Sequence, residues 1–400
     1  MLPVAEAKRR VLESAAPVGR EYVPLDQAAG RVLGAPLSAT SDQPPRSVSA
    51  MDGYAVRTAD IGTLPVRLRV AVSVAAGQLA TEILAPGEAA RIFTGAPVPE
   101  GSDCVVIQEN CRRDGDYVVV EKGRAVSGQF IRPRGLDFAN GDTLLSVGRI
   151  LTARDIGLAA AMNRSKIPVR RRPRILILAT GDELVQPGQI PGPSQIVNSN
   201  SFALGALLER LGADPICLGI ARDNAAALVE KFAAVGQADL LVTIGGASVG
   251  EHDLIQSVLT SLGMSLDFWK IAMRPGKPLL FGRWKHIPVM GLPGNPVSVI
   301  VLALVLIAPM IDQMLGLPER IAPRRARLGI DLAGNDERQD YLRARIDHDA
   351  DGEWVMPSPK QDSSILSLLA QADCLAIRPP HAPPARRGEP LEILAFPPGV

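Results

Sequence analysis

The chain has 400 residues, 43 basic and 42 acidic side chains, and a formal net charge of +1. That length supports roughly two to four domains with ample core, and the balanced charge argues against a bulk nucleic-acid binder, which carries a basic excess. Four cysteines without CxxC spacing and four scattered histidines argue against a disulfide framework and against a zinc centre.

Residues 2–16 read as an amphipathic helix. Its basic cluster, Lys8 to Arg10, stands where a secretory segment would be apolar, so no signal peptide is expected. In SVSAMDGYAVRTAD, the pair Asp52-Gly53 reads as a tight hairpin turn, because Asp-Gly favours positive φ. Between Pro65 and Val120 the runs VRLRVAVSVA, AARIFTG, CVVIQE and YVVVEK alternate with turn residues, which predicts a small all-β domain. IRPRGLDFANGDTLL is a loop bearing Arg132, Arg134 and Asp137. LTARDIGLAAAMN is a helix with Thr152 at its N-cap. It is expected to pack with the N-terminal helix, so that the β domain is an insertion into a two-segment helical region. The basic run KIPVRRRPR reads as a solvated linker and a domain boundary.

From Arg174 the pattern becomes α/β. RILILATGDEL is a buried strand ending in a turn with Asp182 and Glu183. Asn198 or Ser199 caps the next helix, and Gly212 stops it. PICLGI, ARDN with Asp223, AAALVEKFAAV and LLVTIGG follow as strand, turn, helix and strand. This alternation predicts a mostly parallel sheet with right-handed crossovers. Ligands then lie outside the carboxyl ends of its strands. Glu183, Asp223 and the loop Gly245 to Asp253 therefore converge on one rim. IPVMGLPGNP is a second strand leading through a glycine turn into a helix. Two such turns form an anion site, with Lys270, Arg274 and Lys277 between them. The apolar run Val297 to Ile311 is shorter than a membrane span needs and contains Ser298 and Pro309, so it reads as a buried helix. After Pro318, ARLGIDLAG, DYLRARID, EWVMPSPK, CLAIRPP and LEILAFPPGV read as strands of a C-terminal β domain.

No GxxxxGK[ST] or strand-linked GxGxxG is present, which excludes the common nucleotide folds, and GASVG is not GxSxG. Acidic groups beside phosphate loops point to a divalent cation between them, Mg²⁺ above all.

Taken together, SAMDGYAV, IFTGAPVPEGSD, ILATGDEL, ARDN, TIGGASVGEHD, MRPGKP and GLPGNP resemble the molybdopterin molybdenumtransferase family, the MoeA and gephyrin E-domain proteins, in order and over nearly the whole chain. The resemblance implies a multidomain α/β plus β fold. Its parts are a helical region (1–40 and 142–173), an inserted β domain (41–141), an α/β molybdopterin-binding domain (174–320) and a C-terminal β-barrel-like domain (321–400). It implies that molybdate is inserted into adenylylated molybdopterin with release of AMP, assisted by Mg²⁺. It also implies a cytoplasmic homodimer with a shared cleft and no nucleic-acid or membrane partner. By this likeness Asp52, Thr94, Asp137, Glu183, Asp223 and Asp253 are catalytic, with Glu183, Asp223 and Asp253 also toward metal. Gly245, Gly246, Ser248, Gly250, Asn295 and Pro296 hold substrate. Lys270, Arg274, Lys277, Arg338 and Ser363 receive molybdate. Position 274 is arginine where some members carry lysine, which keeps the charge and changes the donor geometry. Two other functions, adenylylation of molybdopterin and a non-catalytic scaffold, fit less well. The first resembles the α/β domain alone, and the second needs linkers or fused domains that this sequence lacks.

Overall fold

The computed structural model describes residues 1–79, 81–124, 126–233, 235–245, 254–350, 352–397 and 399. They fall into two compact units. One is Met1–Glu21 with Arg170–Val400; the other is Tyr22–Val169.

Helix α1 (Val4–Glu13) buries Val4, Ala7 and Val11. That spacing puts all three on one stripe of a 3.6-residue helix. The stripe packs on the helix Ala308–Leu315 of its own unit. α1 and the helix after Leu151, expected to pack together, fall in different compact units. α1 finds its apolar partner in the buried run far along the chain, a distance that local periodicity cannot register.

The Tyr22–Val169 unit is built on six strands: β1 (Gly53–Val56), β2 (Val66–Val74), β3 (Glu88–Ile92), β4 (Cys104–Ile107), β5 (Cys111–Asp114) and β6 (Tyr117–Val120). Their spatial order is β4-β1-β3-β2-β6-β5. Only β2 and β3 run parallel. Alternating side chains such as Val118 and Val120 enter a core with Leu68, Cys104 and Val106. The hairpin expected at Asp52-Gly53 is absent. Gly53 opens β1, and a Cβ there would overlap the Val106 carbonyl oxygen on β4. Glycine is required here by close backbone approach, not by a turn. Helix α2 (Ala153–Ala161) starts as expected at Thr152, whose amide and hydroxyl both donate to Asp155 Oδ2 at 2.8 Å.

The larger unit carries β7 (Arg174–Thr180), α3 (Asn200–Arg210), β8 (Asp214–Ala221), α4 (Ala225–Ala233), β9 (Leu240–Ile244), α5 (Leu254–Ser261), β10 (Met264–Trp269), β11 (Met273–Arg274), β12 (Leu280–Trp284), β13 (Ile287–Leu292), α6 (Pro296–Leu302) and α7 (Ala308–Leu315). Six of the strands form one sheet in the order β8-β7-β9-β13-β12-β10. The first four are parallel, and β12 and β10 add an antiparallel edge. β9 is buried at every position, as a central strand covered on both faces must be. A π-helical turn (Ala303–Ile307) joins α6 to α7. This run is long and apolar enough to cross a membrane, but its most apolar window is 94% buried in the chain's own core. The basic stretch before β7 exposes Lys166, Arg172 and Arg174, as a solvated run should, and the boundary between the two units falls at Arg170, but it is also ordered. Lys166–Arg170 is a strand, and Arg171 forks onto Asp239 at 2.6 and 2.7 Å.

The C-terminal region is a closed five-stranded barrel of β14 (Arg324–Leu328), β15 (Gln339–Asp349), β16 (Gly352–Pro357), β17 (Cys374–Arg378) and β18 (Pro390–Ala395). Going round it, the order is β15-β16-β14-β18-β17 and back to β15. Closure leaves no free sheet edge. β11 runs beside β15, with Arg274 opposite Asp340, and ties the barrel to the α/β sheet.

Candidate active site

Four parallel strands end on one rim. β7 gives way to Gly181, Asp182 and Glu183, and the Glu183 carboxylate folds back over Gly181, where a Cβ would collide with it. The Asp223 amide, just beyond β8, donates to Asp182 Oδ1 at 3.2 Å. Three carboxylates thus share one corner. Burial pushes the Asp223 carboxyl above its ordinary range, and the charges of Asp182 and Glu183 push the same way. β9 ends at Gly245, with φ at +94°, its amide bonded to the Leu292 carbonyl at 3.0 Å. A Cβ at Gly245 would overlap the Thr180 carbonyl oxygen. Gly246, Ser248, Gly250 and Asp253 lie outside the described residues.

Beyond β13, Asn295 is the N-cap of α6 and Pro296 its first residue. Proline suits that place because its missing N–H has no partner there in any helix. Asn200, at the start of α3, donates to the Gly294 carbonyl at 2.6 Å, and the Val297 amide donates to the Ser363 carbonyl at 3.1 Å. The rim therefore gathers Glu183, Asp223, Gly245, Asn295 and Pro296, and Ser363 joins them from the barrel.

The basic loop lies between β10 and β12. Lys270 has φ at +75°, and its ammonium stands 3.8 Å from the Trp269 ring centroid, a cation–π contact. The Ile271 amide bonds the Lys277 carbonyl at 3.1 Å, which closes the loop and leaves Lys277 exposed. Arg274 donates through Nε to Asp340 Oδ1 at 2.8 Å and through Nη1 to Asp336 Oδ2 at 3.3 Å. Arg338 donates to Asp336 Oδ1 through its amide at 3.0 Å and Nε at 3.2 Å. Asp336 bridges the two arginines, and the Arg338 guanidinium holds its carboxyl far below the usual range. Both arginines were expected to stand ready for an oxyanion. Their forks are instead occupied by carboxylates, neither of which stands out in sequence.

In the Tyr22–Val169 unit Asp52 and Thr94 meet directly. Asp52 Oδ1 accepts from the Thr94 amide and hydroxyl, each at 2.8 Å, and these bonds lower the Asp52 pKa. Asp137 lines a cleft of about 690 Å³ with Arg46, Gly95 and Arg132. Arg46 carried no signal in sequence, and Arg132 appeared only as a loop residue. Among the described residues no group of three or more His, Cys, Asp or Glu side chains stands close enough to hold a metal unaided. Asp182, Glu183 and Asp223 interact through charge without converging on a point.

Three family profiles match the chain in succession: the MoeA N-terminal region over residues 2–163, a probable molybdopterin binding domain over 176–313, and the MoeA C-terminal region over 325–396. A molybdopterin molybdenumtransferase of Nostoc is 37% identical, with 94% of this chain and 89% of the relative aligned. A second such enzyme, molybdopterin molybdenumtransferase 2 of Mycobacterium tuberculosis, is 36% identical over 98% of this chain and 99% of its own length. A crystal structure of a molybdopterin biosynthesis MoeA protein from Pyrococcus horikoshii superposes with a TM-score of 0.87 at 31% identity, covering 99% of both chains. With relatives of this identity aligned over nearly their full length, and with strands and motifs in the same order, the chain belongs to the molybdopterin molybdenumtransferase family.

Proposed function

We propose that this enzyme of molybdenum-cofactor synthesis takes adenylylated molybdopterin and molybdate, joins molybdate to the dithiolene and releases AMP. The observation that carries this reading is the corner of Asp182, Glu183 and Asp223, three acidic groups held together at a strand-end rim beside glycine turns. A carboxyl crowded by neighbouring negative charge, as Asp223 is, is expected where a bound group relieves it. In the release step a water oxygen bonds to phosphorus, the bridging P–O bond breaks, and the water proton passes to Glu183 or Asp223. The pterin phosphate is placed toward the positive end of the α6 dipole.

The donor set fits Mg²⁺. One or two carboxylates plus substrate oxygens is its ordinary shell, so a preformed three-ligand cluster is not required. Glu183 and Asp223 would hold it, joined by Asp253, and when bound it neutralises charge on the phosphates. Asp52, Thr94 and Asp137 act on the same substrate in a homodimer whose cleft draws on both subunits. Light scattering that finds only monomer at micromolar concentration would count against that dimer. A cytoplasmic setting suits the four free cysteines.

Lys270, Lys277, Arg338 and the Ser363 region receive the tetrahedral dianion, with Arg274 behind them. Because Asp336 occupies the Arg338 fork, molybdate must displace that carboxylate. The pair is partly exposed, with side-chain exposures of 25% and 35%, so solvent screening keeps its net worth small. An Asp336→Asn chain should bind molybdate about threefold to fivefold more tightly, a gain no larger than that pair energy allows. Equilibrium dialysis reads this directly, and weaker binding in the variant would show that Asp336 organises the arginines rather than competing for them.

A further inference from the structure

The loop 134–142 carries Asp137 at its midpoint, three residues from Arg134 and three from Asn140. Its sequence, RGLDFANGD, holds two glycines and an asparagine, which give the backbone little stiffness of its own. The loop is nevertheless fixed, and its supports come from the segment 39–44. The Gly135 amide donates to the Pro44 carbonyl at 2.9 Å, the Asp137 amide to the Gln43 carbonyl at 2.8 Å, and the Gly141 amide to the Ala39 carbonyl at 3.0 Å. Phe138, buried next to Asp137, is set in a core with Leu37, Leu145 and Leu151.

One side chain joins the two limbs of this loop. Asp42 Oδ2 accepts from Arg134 Nε on the outgoing limb, and Asp42 Oδ1 accepts from the Asn140 amide on the returning limb at 2.8 Å. Both oxygens are thereby used, and the two bonds, that of the Asn140 amide above all, hold the Asp42 carboxyl below its ordinary range. The cleft that Asp137 lines with Arg46 and Arg132 is not lined by Asp42. Asp42 therefore reaches any chemistry in the cleft only through the loop.

A clasp of this kind acts locally. The Arg134 side chain is 70% exposed, so solvent screening leaves the ion pair little weight in global stability. Its weight falls on the loop. Without Asp42 the Asn140 amide loses a charge-assisted acceptor, and the two limbs can part while Phe138 and the bonds to Gln43 and Pro44 keep the loop attached. Asp137 then stays at the cleft but ranges over more positions. A placement error near 1 Å costs on the order of 100-fold in rate.

We propose that Asp42 is a positioning residue: it clasps the two limbs of the loop 134–142 and so fixes Asp137 at the cleft. The consequence for turnover rests on the role given to Asp137 in the proposed reaction, whereas the clasp rests on the hydrogen bonds alone.

The test uses the full chain with Asp42→Ala, Asp42→Asn, Asp137→Asn and the double variant Asp42→Ala/Asp137→Asn, assayed for molybdate-dependent AMP release. Asp42→Ala should lower kcat roughly tenfold to 100-fold and leave KM for adenylylated molybdopterin within about twofold. Asp42→Asn, which keeps an acceptor for the Asn140 amide, should lose less. The double variant should be no slower than Asp137→Asn alone, because a residue that acts through Asp137 has nothing left to place. Wild-type kcat in Asp42→Ala overturns the proposal. So do losses that multiply in the double variant, which is what a purely structural defect gives. Where Asp42→Ala does not fold, Asp42→Asn with and without Asp137→Asn carries the same comparison. Amide hydrogen exchange reads the clasp without the reaction. The loop 134–142 should exchange roughly tenfold faster in Asp42→Ala, and unchanged exchange overturns the proposal. Wild-type kcat in Asp137→Asn together with faster exchange in Asp42→Ala would remove Asp137 from the proposed reaction and still support the clasp.

Discussion

Replacing Asp223 with asparagine should cut turnover by about 100-fold or more, with the thermal midpoint unchanged or slightly raised. The two effects separate for a physical reason. In the folded chain the Asp223 carboxyl is disfavoured in its ionised form, first by burial and then by Asp182 and Glu183, so its pKa is raised. A group with a raised folded pKa supports folding most when protonated, below its ordinary value of 3.8, and loses that support as pH rises through the folded pKa. At neutral pH the wild-type carboxylate therefore costs stability, and asparagine removes the cost. Most of the Asp223 surface is exposed and only part of its carboxyl is crowded by neighbouring atoms, so solvent screening holds the gain to about 0.5 kcal/mol. As pH falls through the folded pKa the difference between variant and wild type should vanish. Glu183→Gln should behave likewise in turnover. A fall in stability that tracks the fall in rate would show the carboxylate to be a structural residue.

Gly245→Ala should be damaging for the opposite reason, through the backbone. At φ of +94° an L side chain is strained, and its Cβ would overlap the Thr180 carbonyl oxygen. Left-handed strain and overpacking each cost about 1–3 kcal/mol. Thr180 sits at the end of β7, two residues before Asp182, so a shift there displaces the carboxylate corner as well. Urea unfolding of the larger unit should move to lower midpoint by an amount equal to roughly 2–5 kcal/mol, with turnover lost. Wild-type stability in this variant would mean that the close approach of β7 and β9 is looser than the geometry states.

Much of the fold was legible because its signals are local. LLVTI is wholly apolar and is wholly buried in β9. The five C-terminal runs became the five barrel strands, and Thr152 begins α2 where its capping chemistry places it. The rim followed from topology, since Glu183 and Asp223 each come just after a strand that proved parallel. What escaped the sequence is non-local. Gly53 looked like a turn glycine because Asp-Gly is a turn signal, whereas its real constraint is the Val106 carbonyl on a strand 53 residues away by number. Arg274 looked free because its partners Asp336 and Asp340 lie 62 and 66 residues on. The KIPVRRRPR run did not read as ordered because nothing near it in sequence announces Asp239. Charge pairing over such distances leaves no periodicity to detect, which is why the carboxylates on Arg274 and Arg338 were not foreseen.

The most direct measurement incubates the purified chain with adenylylated molybdopterin and Mg²⁺, with and without molybdate, and follows AMP together with activation of a molybdenum-dependent apoenzyme. The expected result is AMP release that depends on molybdate and appears in step with active cofactor. AMP released at the same rate without molybdate, or none released in its presence, would contradict molybdate insertion coupled to cleavage of the adenylate.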